Sequence, residues 1–309
     1  AAGGTAVFDG ATSLTSGGAA PFQTITVTGG LTLADGLDVN GTLSGSGTFN
    51  ADGNPITAAG DVNFTGLSVN NLATVTFDGS STFTSAGNTL PGPVYVGSAA
   101  SGGSLTLGDD LLINGSLTAL NGGATALDLN STLLTLSGDL DLGDLDTLSD
   151  TGGASAVHLN GGPQTLTPPS AAHSFTDLRK SGSDVLTVTA NALEVGGTLT
   201  IDAGSTVDME GQEFTIATLA NNGVLELYGD QAVQSITAMD DDSGEVLYNG
   251  PSGGTVRLAT FWDLRINQDG QVFTLAGNTN VDNLLQVPAG TLDDGGQQMN
   301  LAGDVTFSG

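Results

Sequence analysis

Val75-Thr76-Phe77-Asp78-Gly79 reads as a short strand that runs straight into a corner. Val75 and Phe77 fall on one side of an extended chain and Thr76 on the other, because successive side chains of a strand alternate. Asp78-Gly79 then marks the turn, since Gly and Asn tolerate the positive φ that tight corners require. The same five-residue pattern stands near the start as Ala6-Val7-Phe8-Asp9-Gly10. It returns, loosened, as Val157-His158-Leu159-Asn160-Gly161 and Val246-Leu247-Tyr248-Asn249-Gly250.

Outward from that stretch the pattern holds almost everywhere. Ile25-Thr26-Val27, Leu105-Thr106-Leu107, Leu140-Asp141-Leu142, Leu199-Thr200-Ile201 and Val305-Thr306-Phe307 all alternate apolar with polar. Asn-Gly or Asp-Gly pairs separate them, among them Asp35-Gly36, Asn40-Gly41, Asp52-Gly53, Asn114-Gly115, Asn222-Gly223 and Asp269-Gly270. No amphipathic helical period appears. One such pair suggests a hairpin. A whole chain of them between three- to five-residue strands suggests a coil that turns the same corner repeatedly.

The recurrences define loose superrepeats near 1–72, 73–154, 155–243 and 244–309. A second anchor, Phe175-Thr176-Asp177-Leu178-Arg179, is echoed by Phe261-Trp262-Asp263-Leu264-Arg265. These units are too long for single solenoid turns and are read as a few turns each of roughly 20–25 residues. The expected fold is all-β: one continuous, elongated parallel β-solenoid (a β-helix) over 1–309, with turns stacked about 4.8 Å apart and aliphatic ladders inside. A pair of β-sandwiches would instead show longer strands in hairpins, without the long loose repeat.

Composition bounds the function. Four Lys or Arg face 33 Asp or Glu, for a net charge of −29. Nucleic acid is excluded as a partner, because neutralising phosphates takes many basic residues. No run of about 20 apolar residues offers a membrane-crossing helix, so no membrane insertion is expected. Without Cys there is no disulfide framework. The acidic surface suits a protein working in salt outside the cell or at the cell surface.

Leu31-Thr32-Leu33, Val39-Asn40-Gly41-Thr42-Leu43, Gly45-Ser46-Gly47-Thr48-Phe49 and Leu111-Leu112-Ile113-Asn114-Gly115-Ser116-Leu117 carry a family resemblance. They resemble the repeats of bacterial extracellular parallel β-helices, the filamentous-haemagglutinin-like and autotransporter-like adhesins and surface fibres. The resemblance implies an extracellular structural or adhesive segment of a surface fibre, filament or long array, with a glycan or cell-surface ligand among its partners. It brings no catalytic residues.

The densest acid run is Asp139-Leu140-Asp141-Leu142-Gly143-Asp144-Leu145-Asp146. Asp139, Asp141, Asp144 and Asp146 are candidate calcium ligands, since calcium takes six to eight oxygens and neighbouring turns can add some. The plain alternative is a solvated face alternating with a Leu ladder. Calcium is the one candidate ion, and no organic cofactor is expected. Asp109-Asp110, Asp240-Asp241-Asp242 and Asp293-Asp294 read as corner acids. Catalysis is not expected, because no basic residue lies near the acid clusters in sequence. His158 and His173 fit no metal spacing. The second functional reading is a calcium-dependent carbohydrate-binding module.

Finally, Ala302-Gly303-Asp304-Val305-Thr306-Phe307-Ser308-Gly309 repeats Ala59-Gly60-Asp61-Val62-Asn63-Phe64-Thr65-Gly66. The chain therefore stops partway through its own repeat. Copies stacked head to tail, or further chain of a longer array, are the expected neighbours.

Overall fold

The computed structural model describes residues 4–17, 21–170, 173–240 and 242–307. Every regular element among them is a β-strand, and the chain winds as a parallel β-solenoid of about 15 turns. It divides into two compact units, Ala1–Val157 with Pro169–His173 and His158–Pro168 with Ser174–Gly309.

In the first unit, alternation becomes a ladder. Leu37, Ile56, Val75, Val94, Leu117 and Leu140 stand in register one above the other. None is more than 2% exposed. Two residues further along each strand a second buried column runs through Val39, Ala58, Phe77, Val96 and Ala119. Between them Asp38, Thr57, Thr76, Tyr95, Thr118 and Asp141 face outward. Phe49, Phe64, Phe77 and Phe83 fill the wider part of this interior, with successive ring centroids 5.4–6.3 Å apart. Turns are tighter at the short end than the sequence suggests. Phe22 pairs with Val39, seventeen residues on, and Phe83 with Leu107, twenty-four on.

The second unit repeats the plan. Leu186, Val207, Leu225, Val246, Leu264, Leu285 and Val305 form one continuous ladder. It is buried as far as Leu285 and opens at the last rung, where Val305 is 40% and Phe307 69% exposed. Burying each Leu or Val in such a stack is worth about 1.5–3 kcal/mol before conformational entropy is counted.

Two sequence readings change in three dimensions. The anchor Ala6–Phe8 lies under Ile25–Val27, whose ladder continues through Leu43 and Val62, whereas Phe77 belongs to the column of Val39 and Ala58. The recurring motif is thus a strand-then-corner device used on more than one wall.

The corner glycines are the second change. Of the Asx-Gly pairs, Gly53, Gly270 and Gly295 have positive φ, but Gly41, Gly79, Gly115, Gly122, Gly223 and Gly250 do not. A Cβ on Gly41 would lie 1.7 Å from the Gln23 carbonyl oxygen of the turn below, and one on Gly60 2.1 Å from that of Gly41. These glycines let successive backbones approach; their φ is ordinary. Gly303, matched to Gly60 by sequence, sits the same way, its added Cβ 1.7 Å from Asn283 O. Ser308 and Gly309 of that match lie outside the described residues.

Candidate functional site

The four acids singled out by sequence do not gather at one place. Leu140 and Leu142 are fully buried, as their alternation implies, and Asp139 and Asp141 are exposed on the outer face. Asp141 Oδ1 accepts the Gly143 N–H at 3.1 Å. Asp144 and Asp146 stand beyond the strand and line a separate groove of about 420 Å³ with Asn121, Gly123 and Ser170. One Asp146 oxygen accepts the Thr125 N–H at 2.8 Å, and its carbonyl accepts from His173 Nε2 at 2.8 Å. Among the described residues no three carboxylates or imidazoles are arranged to hold a metal ion.

Asp146 belongs to a wider pattern. Asp35 accepts the N–H groups of Ser16 and Gly17, both at 2.7 Å, and Asp109 those of Ser85 and Ala86 at 2.7 and 2.6 Å. Asp61 accepts from Thr82 N, Asp110 from Leu133 N, Asp150 from Ser131 N and Asp177 from Thr198 N, all at 2.7–2.8 Å. Each bond joins neighbouring turns. A corner interrupts the ladder and leaves backbone N–H groups without carbonyl partners. A carboxylate satisfies them with a short, charge-assisted bond. These acids therefore brace one turn against the next, at corners and, for Asp177 and Thr198, between strands. Asp293 and Asp294 also sit at a corner, accepting from Gly295 N and Gly296 N, and Asp240 accepts from Asp242 N. Asp241 lies outside the described residues.

Other acids are shifted upward, chiefly by burial. Asp208 and Glu226 are directly opposed on successive turns, as are Glu245 and Asp263. Burial pushes the Asp208 and Glu226 carboxyls up, and Asp208 adds to the effect on Glu226. Burial also raises Glu245, an effect opposed by Arg265 at 3.7 Å. Asp38 is raised by burial and by Asp78. In contrast, the Ser16 N–H bond leads in holding Asp35 low, and at Asp128 burial is outweighed by the bonds from Thr151, Asn130 and Ser149 together.

These opposite shifts give a two-sided pH response. A raised folded-state pKa means the folded chain binds its proton first, so stability grows as pH falls from the raised values toward the ordinary carboxylate range. Below that range Asp35 and Asp128 must be protonated and stability is lost. His158, lowered chiefly by burial, works against the gain below pH 6.5. Urea denaturation from pH 8 to 3 should therefore show a stability maximum on the acid side of neutrality, and Glu226→Gln should flatten its rise. A wild-type curve that falls steadily from neutral pH, superposing on that of Glu226→Gln, would refute this account.

Among the described residues several buried side chains are polar, and one is charged. Lys180 is fully buried, in register with Ile201 of the next turn. Its ammonium donates to Gly161 O at 3.1 Å, Gly162 O at 3.4 Å and Gln164 Oε1 at 3.0 Å, tying the 160–164 corner to the core. Burial pushes the Lys180 ammonium below its ordinary pKa, opposed by Asp184. The sequence held the signal: extending the echo of Phe175–Arg179 by one residue aligns Lys180 with Ile266, itself fully buried. Next to it, Arg179 faces outward and grips Asp202 at 2.7 Å.

No protein-family model matches the chain, and neither a curated protein nor a solved structure does. The remaining sequence candidates have local roles. His158 Nε2 lies 2.7 Å from Ser181 Oγ, Phe261 is buried in the core, and Trp262 is half-buried beside it.

Proposed function

We propose that the chain is a structural segment of an extracellular surface fibre or array, an adhesin-like β-solenoid whose work is to span and hold. The observation that supports this reading is the set of carboxylates engaged turn to turn on backbone N–H groups, including the paired brackets of Asp35 and Asp109. They let the surface carry dense negative charge, which keeps a long array soluble, while adding bonds along the direction of stacking.

The neighbour that continues the array is a further solenoid turn. The ladder of Leu285 and Val287 runs on to Val305 and Phe307, whose apolar faces and strand edges suit stacking by such a turn. A head-to-tail contact of this kind does not close on itself and gives fibres. Residues 1–309 at rising concentration in moderate salt should sediment as a ladder of linear oligomers, visible as filaments by electron microscopy. Phe307→Asp should return them to monomer. Monodisperse wild-type monomer across the same range would overturn head-to-tail assembly of this chain.

A further inference from the structure

The geometry points to a strand-docking groove along Gln234–Met239 that takes an extended acidic peptide. This strand pairs in parallel with Phe214–Asn221 on one side. Among the described residues no strand pairs with its other side. The next turn passes there as Arg257–Thr260 without joining the sheet, and the space between is a groove of about 390 Å³. This edge of the sheet is thus left open to the groove.

Register identifies which groups face the groove. Phe214 N donates to Val233 O at 3.1 Å, so the inner edge uses Val233, Ser235 and Thr237. The alternation of parallel pairing then turns the C=O of Gln234 and the N–H and C=O of Ile236 toward the groove, before the phase changes at Ala238, where Asp240 N donates to Leu219 O at 2.9 Å. Such a row of backbone groups is what an added strand recognises. The ladder beneath is also incomplete. Ile216 is fully buried, but Ile236 directly above it is only half-buried and lines the groove. An inserted strand would cover it with its own inward side chain.

Charge selects the occupant. Arg257 is one of four basic residues in a chain of net charge −29, and it lines this groove. Its Nε donates to Gln231 O at 3.2 Å, and its two terminal amino groups have no partner among the described residues. An exposed guanidinium beside a free strand edge matches a carboxylate on the docking segment. The groove has no aromatic platform for a sugar ring, and its regular backbone edge favours a peptide over a glycan.

The test uses the whole chain and a labelled peptide of alternating valine and threonine with an aspartate at each end, followed by fluorescence anisotropy. The acidic peptide should bind, and the same peptide with lysine ends should bind about tenfold or more weakly. Arg257→Glu should reverse that preference. The acidic peptide N-methylated at alternate backbone nitrogens should lose binding, because it can no longer bond the strand edge. Hydrogen exchange should show new protection at Ile236 when the peptide is bound. Absence of binding at millimolar peptide, or binding indifferent to Arg257→Glu and to N-methylation of the peptide, would overturn the assignment. Self-association that the acidic peptide competes away would also overturn it, because the occupant would then be a second copy.

Discussion

Leu142→Asp should destabilise the solenoid by more than about 4 kcal/mol, enough to melt its turn at ordinary temperature. Leu142 is fully buried, as are Leu140 and Leu145 on either side of it in the chain. A carboxylate placed there has no basic partner and must either stay charged in an apolar interior or take up a proton at a cost. Turns contact only their neighbours, so the damage should start locally and spread along the stack. Asp141→Asn, one residue away on the exposed face, should change stability by less than about 0.5 kcal/mol. Urea denaturation followed by circular dichroism checks both. Equal midpoints for Leu142→Asp and the wild type would show that this face does not pack inside.

Gly60→Ala is the second large effect, and it comes from a single methyl group. The added Cβ would lie 2.1 Å from Gly41 O and 2.7 Å from Gly41 C, both backbone atoms fixed in the turn below. Nothing flexible is there to yield, so neighbouring turns must separate at this corner. Overpacking of this kind costs about 3 kcal/mol or more. Gly53→Ala provides the contrast. Gly53 has φ of 77° and nothing within 4 Å of its added Cβ, so its cost is the left-handed backbone alone, about 1–2 kcal/mol. Thermal melting of the two variants should rank Gly60→Ala as clearly the worse. The reverse order would mean that φ, not close approach, sets the corners.

How much was legible in the residues varies with the range of the interaction. Strand alternation depends on a residue and its neighbours along the chain, so Leu140 and Leu142 could be placed inside from sequence. Lys180 was equally within reach, because it occupies the inward phase after Leu178, but its acceptors come from the 160–164 corner and only folding brings them there. The acid run 139–146 looked like one site because its residues are close in sequence. A corner after Leu142 carries Asp144 and Asp146 into a groove whose lining does not include Asp139 and Asp141.

By itself the sequence determined the architecture: period-two alternation, dense corner residues and an aliphatic interior leave little but stacked parallel turns. It also determined which side chains of each strand face in. Only the tertiary structure decided what the corners and the surface charges do. A glycine needed for φ and a glycine needed for room are the same letter, and they differ only in whether a carbonyl of the next turn lies 2 Å or more than 4 Å away. An aspartate that braces Thr125, Ser16 or Ser85 is likewise indistinguishable from a solvated one until the turn it bonds, some twenty residues distant, has been laid beside it. The open edge along Gln234–Met239 has the same origin, since whether successive turns pair depends on register between segments that no local pattern encodes.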